Sequence, residues 1–219
     1  MARLSGLPAE PASLVPASRA ALVLYVNAGL PATNLNQLVD LVKSHPGKYS
    51  YASGGSGSPQ HLMGELLKLE KGLDSVHVPY KGQGPAMQDV VAGQVQMAFE
   101  TTTVIAPQLS SGRVRALATT GAERSKNMPA VPTMKELGMG DFVTENWYGV
   151  FAPAQTPPAL VQRLNQAINK VLESKDVQAS LEKMGSRDVK GTPEQFASFI
   201  ARELPLWELV VKRSGAKVD

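Results

Sequence analysis

The sequence predicts an α/β protein built on a mostly parallel sheet. Between residues 21 and 119, short apolar runs alternate with stretches whose apolar residues recur at helical spacing. Gly- and Pro-bearing turns separate the two kinds of segment. The chain has 219 residues, 43% hydrophobic and 19% charged. That is enough to bury a sizeable core, as one large domain or two small ones.

Residues 21–26 are apolar throughout and read as a buried strand. Asn34 caps a helix with Leu35, Leu38, Val39 and Val42 on one face, and Pro46-Gly47 ends it. Residues 49–52 are the next strand. The following helix carries Leu62, Leu66 and Leu69 and stops at Gly72. A short strand at 76–78 precedes Pro79-Tyr80-Lys81-Gly82, and Pro85 opens a helix with Met87, Val90 and Val91. Strand 95–99 ends at Glu100-Thr101-Thr102-Thr103, a short helix follows to about Ser111, and 114–119 is a further strand.

After Thr120 the pattern changes. A turn at 129–132 leads to a short helix ending at Gly138, then to an extended segment at 144–153. Pro157-Pro158 opens a helix with Val161, Leu164, Ile168 and Val171 on one face. A second helix covers about 177–184. A last one starts at Thr192 and carries Phe196, Phe199, Ile200 and Leu204, with Pro205 expected to kink or interrupt it.

Composition narrows the function classes. A net charge of +3 is too weak and scattered for a nucleic-acid surface. The absence of cysteine removes disulfides, thiolate nucleophiles and cysteine-ligated metals. No apolar stretch is long enough to span a bilayer. Residues 1–20 lack a signal-peptide pattern. Either the protein stays in the cytoplasm, or an export signal is absent from this chain.

The richest stretch is Tyr51-Ala-Ser-Gly-Gly-Ser-Gly-Ser-Pro-Gln-His-Leu62. A strand feeds a small-residue loop that opens into a helix, with Ser58 suited to the N-cap and Pro59 to the first helical position. Unpaired N–H groups and the positive end of the macrodipole meet there. The hydroxyls of Ser53, Ser56 and Ser58 add donors, and Gly54, Gly55 and Gly57 let a ligand come close to the backbone. The pattern fits capture of an anion such as a carboxylate or phosphate; the plainer alternative is a flexible turn with a good cap. Nucleotide motifs fail: the third glycine of a dinucleotide fingerprint is missing, and Gly47-Lys48 is followed by Tyr49 instead of Ser or Thr. Gly54-Gly55-Ser56-Gly57-Ser58 also lacks the last glycine of a nucleophile elbow. Ligands of parallel sheets bind beyond the carboxyl ends of the strands. The 53–58 loop and the 100–103 segment lie there, and Tyr80 and Lys81 follow a third strand.

These segments resemble the substrate-binding receptors of tripartite tricarboxylate transporters, also called Bug receptors. The resemblance rests on 51–62 and on Val76-His-Val-Pro-Tyr-Lys-Gly82. It extends through Gly93-Gln-Val-Gln-Met-Ala-Phe99, Gly112-Arg-Val-Arg-Ala-Leu-Ala118, Trp147-Tyr-Gly-Val-Phe-Ala-Pro153 and Gly191-Thr-Pro-Glu-Gln-Phe196. It runs in family order from about Pro11 to the end. It implies a fold like that of type II periplasmic binding proteins, in which two α/β lobes close on a small organic acid. Residues 22–144 would be one complete lobe, the second of the family. Residues 145–219 would be the crossover strand and C-terminal helices of the first lobe. Residues 1–21 would be a remnant of that lobe or an unrelated addition. The resemblance further implies a periplasmic location, membrane transporter subunits as partners, and no cofactor, metal or nucleic acid. Ligand-binding residues would be Ser53, Gly54, Gly55, Ser56, Gly57, Ser58, Tyr80, Glu100, Thr101 and Thr102. Many members carry Asp-Asn where this chain has Glu100-Thr101, so the departure bears on which carboxylate is selected. An incomplete first lobe would leave apolar helix faces exposed and favour self-association through them.

Three functions compete at this level: a non-catalytic carboxylate receptor, an enzyme using Glu100 or His61 as base on a carboxylate or phosphate, and a cytoplasmic ligand-sensing domain. No nucleophile–base pair can be assembled from adjacent motifs. Lys81 reads more readily as a turn lysine than as a ligand contact, Trp147 and Tyr148 at least as readily as core aromatics, and Glu65 with Glu70 as a solvated pair more than a catalytic dyad. His61, in the first helical turn, more often packs or caps than binds ligand; His45 and His77 are isolated in sequence.

Overall fold

Residues 22–26 form the centre of the sheet, and every one of them is at most 1% exposed. They belong to a strand far longer than the apolar run that announces it: β1 spans Ala12–Asn27. In chain order there follow α1 (Leu35–Lys43), β2 (Ser50–Ser53), α2 (Pro59–Lys71), β3 (Val76–Pro79), α3 (Gln83–Val91), β4 (Met97–Thr101), α4 (Thr102–Ser110) and β5 (Val114–Thr119). Then come β6 (Glu145–Ala152), α5 (Pro158–Leu172), α6 (Lys175–Lys183), β7 (Arg187–Asp188) and α7 (Pro193–Ser214). The structure is a computed structural model and describes residues 12–140 and 142–215. The chain divides into two compact units. One holds Ala21–Glu145 and the chain from Val210 on; the other holds the residues before Ala21 and Asn146–Leu209.

In the first unit the strand order is β3-β2-β4-β1-β5. β2 is parallel to β3 and β4, whereas β1 is antiparallel to both β4 and β5. The mostly parallel expectation therefore needs one correction: β1 runs against the rest. A strand buried on both faces has the same apolar pattern in either direction, so periodicity carries no sign. The reversal places the Leu22 end of β1 beside Thr101 and the Asn27 end beside Val114. Asn27 then closes the far edge, its amide donating to the carbonyls of Val90 (2.9 Å) and Val91 (3.1 Å) at the end of α3.

Caps fall where the sequence places them. The Asn34 side chain accepts from the Gln37 N–H at 3.0 Å, and Gly72 ends α2 at φ 60°. α1 buries Leu35, Leu38, Val39 and Val42. On α2 the buried face is Met63, Leu66 and Leu67, with Leu62 and Leu69 only half-buried. α3 begins at Gln83, ahead of the proline expected to open it. The expected helix before Gly138 is a single turn, closed by Thr133 and Glu136 capping each other's N–H at 2.7 and 3.0 Å.

In the second unit β6 and β7 pair with β1. Phe196 is fully buried, its ring edge-on to Trp147 at 5.6 Å. α5 departs from expectation: Val161, Asn165 and Leu172 are buried, whereas Leu164 and Val171 are exposed. The Asn165 amide donates to the carbonyls of Leu14 (2.7 Å) and Gly191 (2.8 Å), and that polar anchor turns the helix. α7 runs on through Pro205 without interruption. The proline removes only its own N–H, and the carbonyl that loses a donor belongs to exposed Ala201, where water can take it.

Candidate functional site

The candidate site lies at the edge of the first unit where β2, β3 and β4 end. Each strand turns directly into a helix start, so α2, α3 and α4 all begin at that edge. Ser58 caps α2, its Oγ accepting from the His61 N–H at 3.3 Å, and Pro59 occupies the first helical position. Gly82 and Thr101 precede α3 and α4 without any side-chain cap. Three positive helix ends with uncommitted N–H groups therefore converge on one region.

The 53–58 loop is shaped by its own hydrogen bonds. Ser53 is fully buried. Its Oγ lies 3.2 Å from the Gly55 N–H it accepts, 3.1 Å from the Gly55 carbonyl and 2.7 Å from His77 Nε2. Gly57, at φ 78°, gives its N–H to His61 Nδ1 at 2.9 Å, and Ser58 N–H donates to the Gly55 carbonyl at 3.2 Å. Gly55 sits at φ 137°, a conformation closed to most side chains. Left over are the Ser56 N–H, the Ser56 hydroxyl and the Gln60 N–H, none of which has a hydrogen-bond partner among the described residues. The Ser58 hydroxyl proton is also uncommitted, because that oxygen serves the cap as acceptor.

The neighbouring turns lock onto this loop. Tyr80 N–H donates to the Ser53 carbonyl at 2.9 Å and Gly82 N–H to the Gly54 carbonyl at 3.1 Å. β2 and β4 run side by side, with Tyr51 beside Met97 and Ala52 beside Ala98, so the loop after β2 and the end of β4 leave the same edge of the sheet. Glu100 is 4% exposed, and one carboxylate oxygen accepts the Thr101 N–H at 2.7 Å. Burial pushes its carboxyl above the usual range, and that hydrogen bond partly opposes the rise. Thr102 is buried and opens α4, with no partner for its Oγ1. The Tyr80 hydroxyl is spent on Asp89 at 2.6 Å, and burial together with that carboxylate pushes the phenol up to about 12. Tyr80 thus serves the loop through its backbone, while its side chain braces α3.

Three further residues gather here that the sequence reading does not assign to the site. The Gln83 side-chain amide lies against Gly54, and its Nε2 is buried without a partner. His61 and His77 stack with ring centroids 3.8 Å apart and planes 10° apart. For the histidines a signal exists, since both sit inside the motifs flanking the loop; only the parallel pairing of β2 with β3 reveals that they meet. Gln83 carries no comparable mark.

Chemically, this arrangement presents donors to an anion. Among the described residues no lysine or arginine hydrogen-bonds the loop, so the attraction comes from backbone N–H groups, hydroxyls and helix ends. No cluster of three or more metal-ligating side chains occurs among the described residues. No described helix is long and apolar enough to cross a membrane.

Comparison with known proteins gives the same reading of fold and class. Residues 10–216 match the model of the tripartite tricarboxylate transporter family receptor. The chain is 40% identical over 197 residues to protein BugT of Bordetella pertussis, covering 90% of this chain and 60% of that protein. It therefore spans about three fifths of the length of that curated relative. A solved structure of a periplasmic transporter superposes with a TM-score of 0.83 at 36% identity, covering 95% of this chain and 70% of that one. A Rhodopseudomonas palustris protein, MatC, solved with bound malate, gives 0.81 at 30% identity over 92% and 69%. An R. palustris protein solved with adipate gives 0.82 at 30% identity over 94% and 69%. The fold is that of the periplasmic binding proteins, as in the solved structure of periplasmic binding protein BugD, which gives a TM-score of 0.81 at 28% identity over 94% of this chain and 70% of that one. With a family model matched along nearly the whole of its length, the chain belongs to the tripartite tricarboxylate transporter receptor family.

Proposed function

We propose that this chain is the ligand-gripping part of a solute receptor that captures a small organic carboxylate in the periplasm and delivers it to a tripartite tricarboxylate-type membrane transporter. The observation that carries the reading is that three helices start at the edge where the 53–58 loop lies, with the Ser56 N–H and hydroxyl unspent. Such donors grip a carboxylate without any titrating group and need no chemistry on the ligand. The adipate and malate held by relatives support the ligand class. Within the loop Ser56 and Ser58 present the donors of the grip, and Ser53, Gly54, Gly55 and Gly57 hold its shape through their own hydrogen bonds; Glu100, Thr101, Thr102 and the Tyr80 backbone shape its far side.

The test is an amide NMR titration of the chain with adipate and with malate, paired with calorimetry. Shifts concentrated at 53–60 are expected. Replacing Ser56 and Ser58 together with Ala should weaken binding by about 1–3 kcal/mol, the worth of charge-assisted contacts from two hydroxyls. Shifts elsewhere, or an unchanged affinity in the double variant, would remove the hydroxyls from the grip. Recovery of intact ligand by mass spectrometry after long incubation separates a receptor from an enzyme.

A further inference from the structure

We propose that His61 and His77 are positioning residues for the 53–58 loop: as neutral stacked rings they hold its two ends in the anion-ready conformation, and protonation of His61 releases it. The proposal rests on the carboxylate-receptor reading above and adds to it a pH dependence. The geometry is specific. His61 Nδ1 accepts the Gly57 N–H at 2.9 Å, so in this state its proton sits on Nε2. His77 Nε2 lies 2.7 Å from Ser53 Oγ, the atom that also accepts the Gly55 N–H. One ring thus holds each end of the loop, and the rings lie 3.8 Å apart. Tyr51 of β2 stacks on His77 at 4.9 Å and on His61 at 6.3 Å, which fixes the pair from the sheet side.

The charged and titratable groups facing the pair are Tyr51 on β2 and Glu65 and Lys68 on α2. Glu65 is itself occupied, taking the Tyr51 hydroxyl at 2.5 Å and the Lys68 ammonium at 2.8 Å. Burial lowers the His61 pKa; Glu65 opposes this and Lys68 adds to it. Burial lowers His77 to about 4, His61 adds to the fall, Glu65 opposes it and Lys68 adds a smaller push down. The first turn of α2 contributes its positive end, which also disfavours a charged His61.

A proton on Nδ1 of His61 would set an N–H against the Gly57 N–H, and that contact must break. The Ser53–His77 contact can survive protonation of His77, because a charged ring donates to Oγ; His61 is therefore the lever. Both groups have folded pKa values below the ordinary histidine value. Loop order is then complete above about pH 6.5 and is lost progressively as the pH falls toward the lowered values.

His61→Asn places an amide oxygen where Nδ1 stood and does not titrate; His61→Leu fills the space without an acceptor. In the wild-type chain the Gly57 amide resonance should move on acidification with the same midpoint as the His61 ring, and in H61N it should stay in place. With adipate as probe, wild-type affinity should fall about tenfold more than that of H61N between about pH 7 and pH 5, the linkage expected of one histidine whose protonation opposes the binding-ready loop. The ratio of wild type to variant at each pH cancels the ionisation of adipate. H61L should bind weakly at both pH values, with H61N rescuing most of the loss. A Gly57 amide that ignores His61 protonation, or an H61N profile that tracks wild type, overturns the proposal. Absence of any adipate binding alongside coincident NMR midpoints would instead sink the receptor reading for adipate and leave the coupling of ring to loop demonstrated.

Discussion

Glu100 takes the Thr101 N–H as a carboxylate, yet it sits at 4% exposure where burial favours its neutral form. A folded carboxyl pKa raised above its unfolded value makes the ionised group a liability above that value, and the liability vanishes once both states are protonated. Glu100→Gln should therefore raise the melting temperature at neutral pH, with the gain shrinking as the pH falls toward 4. Thermal scans across that range check the sign; a loss at neutral pH would show that hydrogen bonds to the carboxylate outweigh its burial. The serines separate at the same scale. Ser58→Ala removes a cap and should cost about 1 kcal/mol of stability, whereas Ser56→Ala should leave stability within about 0.5 kcal/mol. Denaturant midpoints of the single variants measure this, and they keep the ligand effect of each hydroxyl apart from its effect on folding.

Elements are held together at this molecule's tightest approaches. A Cβ at Gly64 of α2 would overlap the Tyr51 ring, which cannot withdraw because its hydroxyl is tied to Glu65. Gly64→Ala gains helix propensity of about 1 kcal/mol but overpacks that contact. The net expectation is a destabilisation of about 1–2 kcal/mol, and because Tyr51 also backs the histidine pair, altered His61 and His77 ring resonances should accompany it. In the other unit a Cβ at Gly149 of β6 would overlap fully buried Phe196. Gly149→Ala should cost about 1–3 kcal/mol. Urea unfolding of both variants tests these values; a neutral result at either site would mean that the ring has room to move.

At the scale of the whole chain, Leu160, Leu164 and Val171 of α5 remain 44%, 36% and 58% exposed. An apolar stripe of that kind favours burial against another surface. Sedimentation velocity should show concentration-dependent association, and Leu164→Glu with Val171→Glu should shift it toward monomer; a wild-type monomer at all concentrations would remove the stripe as an interface. The sequence by itself determined what depends on local pattern. The alternation of strands and helices, the caps at Asn34 and Ser58, the stop at Gly72 and the small-residue loop at 53–58 are all written in neighbouring residues. Tertiary structure decided the rest. The direction of β1 depends on which strands it meets, and its apolar run is silent on that point. The buried face of α5 was set by Asn165 reaching the carbonyl of Leu14, a contact across 151 positions. The meeting of His61 with His77 follows from pairing β2 with β3, strands far apart in sequence. Periodicity reports which side of an element is apolar; only packing reports what that side, or a polar residue within it, will touch.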